Sequence, residues 1–313
     1  MINLSPVKLS PAFKDYLWGG TKLKEQYNKK SDLEIVAESW EMSCHKDGES
    51  TVVTGEFSGK TLSAYVEALG KDALGKKAEK FSYFPLLIKF IDAKDNLSIQ
   101  VHPADEYALR VEGEYGKTEM WYVLEAEEGA YLYYGFNRDI TREEFAERIK
   151  NNTILEVLNK VNVKKGDVFF IDAGTVHAIG AGLMICEIQQ NSNTTYRVYD
   201  YDRRDKEGNA RPLHIEKAIE VSKLTKAPEL VASDDDVLAT CEYFTVKKVP
   251  VNGDAKVSVT EESFVSLIIV DGDGKVALGS DELTVTKGDS VFVPAQNGEI
   301  ALSGNMEVIV SSL

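Results

Sequence analysis

The sequence predicts a mainly β protein of closed or sandwiched antiparallel sheet, arranged as two related units, on three observations. Apolar and aromatic residues recur in short alternating runs at 85–91, 97–102, 118–124, 130–135, 167–171, 183–189 and 195–199, with about six more beyond residue 240. Helical periodicity is rare. The run Gly166-Asp167-Val168-Phe169-Phe170-Ile171 returns as Gly288-Asp289-Ser290-Val291-Phe292-Val293, 122 residues later.

Three segments read as helices. Residues 61–69 set Leu62, Tyr65, Val66 and Leu69 at i, i+3, i+4 and i+7. Thr141 with Glu144 forms a capping box, predicting a helix that runs to about Asn159. Near 214–224, Ile215, Ala218, Ile219 and Val221 fall loosely on one side. Between the two β units, Thr225 to Asp236 contains Pro228 and the run Asp234-Asp235-Asp236, which break both periodicities and predict a surface connection. Beyond it, Asp271-Gly272-Asp273-Gly274 predicts a hairpin turn between the apolar run 264–270 and a strand at 275–278.

Length and charge narrow the function. At 313 residues the chain is about twice the commonest domain size, enough for a sizeable core. Its formal charge of −15 disfavours a nucleic-acid partner, and it has no apolar run approaching the ~20 residues that a membrane-spanning helix needs. Cys44, Cys186 and Cys241 are too widely spaced for a disulfide framework or a cysteine-rich zinc site. The opening residues MINLSPVKLSPAF lack a basic segment followed by an apolar one, so a cytoplasmic location is expected.

The chemistry is concentrated in three segments. In Leu97-Ser98-Ile99-Gln100-Val101-His102-Pro103, a strand period of two puts Gln100 and His102 on one face and Ile99 and Val101 on the other. Lys117 and Glu119 share a face with Trp121 and Val123 in an otherwise apolar strand. Burying a charge costs several kcal/mol as an order of magnitude unless it is paired or bound to a metal. Gly166 then opens a strand whose following turn, Asp172-Ala173-Gly174-Thr175-Val176, delivers His177. Two imidazoles, a carboxylate and an amide oxygen suit a divalent ion such as Zn²⁺ with positions open for water or substrate. The chain has four histidines, and the other two, His45 and His214, have no companion ligand in sequence.

These motifs, in the order Gln-x-His-Pro, Lys-x-Glu-x-Trp-Tyr-Val-Leu, Gly-Asp-x-Phe-x5-Gly-Thr-x-His-Ala and Gln-Asn-Ser-x-Thr-Thr-Tyr-Arg-x-Tyr-Asp, resemble the type I mannose-6-phosphate isomerases of the short bacterial form. Trp18-Gly19-Gly20, Ala37-Glu38-Ser39-Trp40-Glu41 and Pro85–Ala93 agree, and the resemblance covers about residues 8–215. It implies a fold of two cupin units, or jelly-roll β-barrels: a metal-binding catalytic domain with helical insertions over 1–230, and a degenerate cupin over 237–313. Aligning the repeats sets Glu299 opposite His177, and the second unit has no histidine.

The resemblance also implies one Zn²⁺ per chain, held by Gln100, His102, Glu119 and His177, and an essential arginine at Arg197. The implied reaction is aldose–ketose isomerisation of mannose 6-phosphate and fructose 6-phosphate through an enediol or enediolate, with a small sugar phosphate as the partner and a monomeric or homodimeric chain. A metal with one anionic ligand polarises substrate oxygens, and Arg197 stabilises the developing negative charge. Lys117 is expected in proton transfer and Lys89 in substrate binding, while Arg203 and Arg204 meet the phosphate or simply belong to a solvated loop. The general base stays open among metal-activated water, a desolvated lysine and an unplaced carboxylate.

One position departs from the family. Asn193 stands where many relatives carry Asp, and an amide cannot act as a general base. That departure supports an alternative, a non-catalytic metal-containing cupin that binds a sugar phosphate. A metal oxygenase on the same fold is the third reading, and lysine and arginine near the ligands suit an anionic sugar better.

Overall fold

The structure, a computed structural model, describes residues 4–204, 207–228 and 236–313. Asp234, Asp235 and most of the expected connection lie outside the described residues, as does residue 230, the expected end of the first domain. Mainly β architecture is as predicted, but the chain's two compact units are interleaved in sequence. Among the described residues, the first unit gathers 4–14, 21–90 and 236–313, and the second 15–20, 91–204 and 207–228.

The second unit carries the candidate site. Its strands are β1 (Ile99–Val101), β2 (Glu119–Ala126), β3 (Tyr131–Phe136), β4 (Leu158–Asn162), β5 (Val168–Ile171), β6 (His177–Ile179), β7 (Leu183–Gln190) and β8 (Tyr196–Tyr199). Its helices are α1 (Asp105–Val111), α2 (Arg142–Lys150) and α3 (Ile215–Val221). Antiparallel pairing gives one sheet in the order β4-β3-β6-β1-β8 and sets β2 between β5 and β7.

Alternation then decides which side chains meet. Ile99, Val101, Ala178, Tyr196 and Val198 join a core cluster with Phe145 and Ile149 of α2 and Ala218 of α3. Gln100, His177 and Arg197, interleaved with those residues, therefore project from the opposite face. Phe145 and Ile149, four residues apart, are the buried stripe of α2, and Thr141 Oγ1 caps the helix by accepting from Glu144 N at 3.1 Å. The helix stops at Lys150 and does not reach Asn159: Asn152 turns left-handed at φ 56°, and a 3₁₀ turn and β4 follow.

In the first unit, Val237–Thr240, Thr245–Val259, Gly298–Ser312, Val265–Leu278, Ser290–Val293, Val7–Ser10 and Thr51–Val52 lie side by side, with Asp281–Thr286 added to Val265–Leu278. Val7 pairs with Phe292, so the N-terminal strand belongs beside strands near the other end of the sequence. The core here is aliphatic, including Val251, Leu267, Val276, Val291, Ile300 and Val308.

The expected hairpin at 271–274 does not form, because Val265–Leu278 is one continuous strand. Gly272 has φ +73° just after a register shift between Ile269 and Asp271, and its backbone lies so close to Asn305 that a Cβ would sit 2.0 Å from the Asn305 carbonyl oxygen. The Gly-Asp punctuation marks a bulge and a close approach between strands. The sequence repeat, by contrast, is a repeated turn. Gly166 and Gly288 adopt φ 89° and 94°, and the next residues, Asp167 and Asp289, accept from Lys164 N at 2.9 Å and Thr286 N at 2.8 Å before a strand begins.

Candidate metal centre

The strand registers bring the donors together. His177 of β6 and Arg197 of β8 both stand opposite Gln100 of β1, while Glu119 of β2 is paired with Ile171 and Gln189. The segment entering β2 is pinned from three sides: Lys117 N donates to Pro103 O at 3.0 Å, Gly116 N to Asp105 Oδ1 at 2.6 Å, and Thr118 N to Gln190 Oε1 at 2.9 Å. That clamp fixes Lys117 and Glu119 on either side of Thr118.

His102, Glu119 and His177 are buried and offer ligand atoms all within 4.8 Å of one another. Glu119 Oε1 lies 3.3 Å from His177 Nε2 and 3.8 Å from His102 Nε2. Each ring's other nitrogen faces a carbonyl, His102 Nδ1 at 2.9 Å from Thr194 O and His177 Nδ1 at 2.8 Å from Thr175 O. A carbonyl only accepts, so Nδ1 carries a proton in both rings, and each Nε2 faces Glu119. Burial lowers the His177 pKa to about 4, against the raising effect of the Thr175 bond, and this holds the ring in its neutral, ligating form. The Gln100 side-chain nitrogen is 3.5 Å from His177 Nε2, and turning that amide over would present its oxygen instead.

The second carboxylate oxygen, Glu119 Oε2, takes the Lys117 ammonium at 2.8 Å. The same ammonium lies 3.7 Å from Glu187 Oε1, whose partner oxygen Oε2 accepts from Trp121 Nε1 at 3.0 Å. Lys117, Glu119 and Glu187 are all at most 5% exposed, so their formal charges leave the buried cluster at −1. Two imidazole nitrogens facing one carboxylate, within a buried cluster of negative formal charge, fit a divalent cation. Among the described residues no other group of His, Cys, Asp or Glu has this proximity.

The remaining expected residues divide. Arg197 is half-buried on β8, with Nε donating to Ser98 Oγ at 3.2 Å and Nη1 to Pro212 O at 3.0 Å. Arg203 is tied to Asp200 at 2.5 Å, and Asp200 also receives Arg211 Nε at 2.8 Å and Nη2 at 2.6 Å. Arg204 is exposed and donates to Gly208 O at 2.9 Å within its own loop. Lys89 belongs to the first unit, buried 3.5 Å from Glu38 Oε2 and over the Trp40 ring at 5.1 Å. Sequence reasoning missed Glu187 and Arg211. Glu187 was detectable, being the one carboxylate in the apolar run Leu183-Met184-Ile185-Cys186-Glu187-Ile188.

A β-barrel unit holding two histidines and a glutamate around one buried point, beside a lysine and an arginine, defines a metal-site cupin. Residues 7–131 match the family model "Phosphomannose isomerase type I, catalytic domain", and residues 235–313 match "Mannose-6-phosphate isomerase, cupin domain". The chain is 39% identical to the mannose-6-phosphate isomerase ManA of Bacillus subtilis, over 100% of both chains, and 37% identical to the Streptococcus mutans mannose-6-phosphate isomerase, over 98% of both. A crystal structure of the mannose 6-phosphate isomerase from Bacillus subtilis superposes with a TM-score of 0.90 at 34% identity, covering 99% of this chain and 100% of that one. A mutant phosphomannose isomerase from Salmonella typhimurium, 18% identical with a TM-score of 0.79, shares the fold. The chain belongs to the type I mannose-6-phosphate isomerase family.

Proposed function

We propose that the chain interconverts mannose 6-phosphate and fructose 6-phosphate, using one Zn²⁺ held by Gln100, His102, Glu119 and His177. The observation that supports this best is the Lys117 ammonium lodged between Glu119 and Glu187, with Arg197 across the strand from Gln100. Isomerisation moves a proton between C2 and C1 and shifts the protons on the adjoining oxygens. When bound, the metal acts as a Lewis acid on substrate oxygens. Lys117 and Glu187 are the chain's own groups for holding and passing a proton beside the ligands, and Glu187 supplies a carboxylate where Asn193 cannot. Arg197, permanently charged, donates to the oxygen on which negative charge develops.

Arg203, with Arg211 beside the same carboxylate, is the proposed partner of the phosphate. Arg204, exposed and bonded within its own loop, fits the solvated-loop reading better. The substrate role of Lys89 rests on its place in a strand read from the sequence. Chemistry is assigned to the 1–230 part of the chain, and 237–313, with its aliphatic core, is taken as an accessory cupin. A phosphorylated hexose does not cross a bilayer unaided, so the reading places the protein in the cytoplasm, as a monomer or homodimer.

The test is a coupled assay of mannose 6-phosphate isomerisation during chelation and zinc readdition. Turnover should disappear with the metal and return with zinc. Full turnover in thoroughly metal-depleted protein would overturn the metal-dependent reading, and a zinc-loaded protein that binds sugar phosphate without turning it over would establish the binding cupin instead.

A further inference from the structure

β8 is an edge strand: β1 pairs with it on one side, and among the described residues no strand follows it in the sheet order. The backbone groups of Arg197 nevertheless have partners. Arg197 N donates to His214 Nδ1 at 3.2 Å, and His214 N donates to Arg197 O at 2.8 Å. His214 thus closes a ring of two hydrogen bonds with Arg197, its imidazole nitrogen standing where a neighbouring strand would offer a carbonyl. The same segment grips the arginine elsewhere. Pro212 O accepts from the guanidinium, and Arg211 is bonded to Asp200 just beyond β8. Pro212 and Leu213 are exposed, whereas Arg211 and His214, on either side of them, are partly buried.

We infer that His214 is a positioning residue for Arg197, acting as the surrogate strand partner that sets where the arginine's backbone, and hence its guanidinium, lies. Its catalytic consequence rests on the isomerase reading, in which Arg197 meets the developing negative charge. An amide N–H only donates, so the clasp requires a lone pair on Nδ1, and the ring must be neutral with its proton on Nε2. An imidazolium would set N–H against N–H. The charged groups around the ring favour the neutral form: burial first, then Arg197 and Lys217, lower its pKa, with Glu112 opposing. Glu112 is itself engaged by Lys217 at 2.6 Å and by the Tyr196 hydroxyl at 2.8 Å. Sequence spacing offered no hint of this role, because the ring's partner is a backbone amide seventeen residues earlier.

The test compares His214→Leu with His214→Asn in the metal-loaded full chain. Asn places its amide oxygen the same number of bonds from Cα as Nδ1, so it restores an acceptor that does not titrate. The leucine variant should lose kcat on the order of 10–100-fold, a range set by misplacing a reacting group by about 1 Å, with KM and metal content much less changed. The asparagine variant should stay within about threefold of the parent, a difference under 1 kcal/mol. Amide hydrogen exchange over 195–199 should accelerate in the leucine variant only. Parental kcat in His214→Leu, or equal damage in both folded variants, would overturn the inference. If the parent chain proves to have no isomerase activity, exchange still decides: protection lost with Leu and kept with Asn supports the clasp, and equal protection in the two refutes it.

Discussion

Replacing Lys117 by Met tests the electrostatic design of the site, because it removes the cation that meets both Glu119 and Glu187 while keeping a side chain of similar length. The ammonium lies 2.8 Å from Glu119 Oε2 and 3.7 Å from Glu187 Oε1. At an effective dielectric of ~20, these separations correspond to gross attractions of about 6 and 4.5 kcal/mol. Desolvation of the lysine offsets much of this, and removing one partner of a buried pair typically costs about 3–5 kcal/mol. For a chain of this length that is a drop of roughly 5–8 °C in melting temperature. The measurement is thermal unfolding of metal-free and zinc-loaded protein, with turnover in parallel. Metal-free variant should melt below metal-free parent, and zinc should raise the variant's melting point by more than the parent's, since a dication answers a buried charge of −2 more strongly than one of −1. Turnover should fall about 10²–10⁴-fold if the lysine moves a proton. A metal-free variant as stable as the parent, or one that gains less from zinc, would refute the reasoning.

Two further substitutions probe the frame. Gly272→Ala should destabilise the protein by about 2–5 kcal/mol, combining left-handed strain with a clash against the Asn305 carbonyl; denaturant unfolding reads this, and metal content per folded chain should be unchanged. Asp200→Asn should cost about 1–3 kcal/mol by weakening the bonds that Arg203 and Arg211 make to one carboxylate across a turn whose central residues, Tyr201 and Asp202, are both left-handed at φ 57° and 52°. Burial alone would raise the Asp200 pKa, but bonds from Arg211 and Arg203 prevail and hold it below its ordinary value. Its contribution is therefore complete above the unfolded pKa of about 4 and is lost as pH falls through the folded one, so the asparagine variant should show a shallower loss of stability below about pH 4.

The candidate metal ligands stand out in sequence because a period-two strand reveals which side chains share a face. Gln100 and His102 flank the apolar Val101, Lys117 and Glu119 flank Thr118, and in the structure Lys117 meets Glu119 while Gln100 and Glu119 both lie against His177. The same reasoning applied to Leu183–Gln190 would have found Glu187. Other features are not written locally. Val7–Ser10 is not among the strands expected from sequence, and its partner, Ser290–Val293, lies near the other end of the sequence. The Asp-Gly-Asp-Gly run looks like a turn because only the neighbouring strand, Gly298–Ser312, shows that the chain continues straight through it. His214 was set aside for want of a companion ligand, yet its partner is a main-chain amide, a group every residue but proline carries and no motif can mark.

The formal charge of −15 says little about the site, because the second unit separates its charges within a few strands. Around β2 and β7, Lys117 is outnumbered by Glu119 and Glu187, a negative pocket suited to a cation. At β8 and the turn after it, Arg197, Arg203 and Arg211 surround Asp200, a net positive cluster suited to an anion. Gln100 stands opposite a member of each neighbourhood, His177 on one side and Arg197 on the other. Strands in a sheet lie about 4.8 Å apart, so two spacings separate His177 from Arg197, a span of roughly 10 Å. On the isomerase reading, a hexose phosphate is a ligand with the same polarity: hydroxyl and carbonyl oxygens for a metal at one end, a dianion at the other. Asp200 gives the arginine cluster a reason to persist without substrate, since three guanidiniums brought together with no carboxylate would repel one another. It also leaves the cluster short of neutrality, and that remaining positive charge is what would draw a phosphate to this end of the sheet.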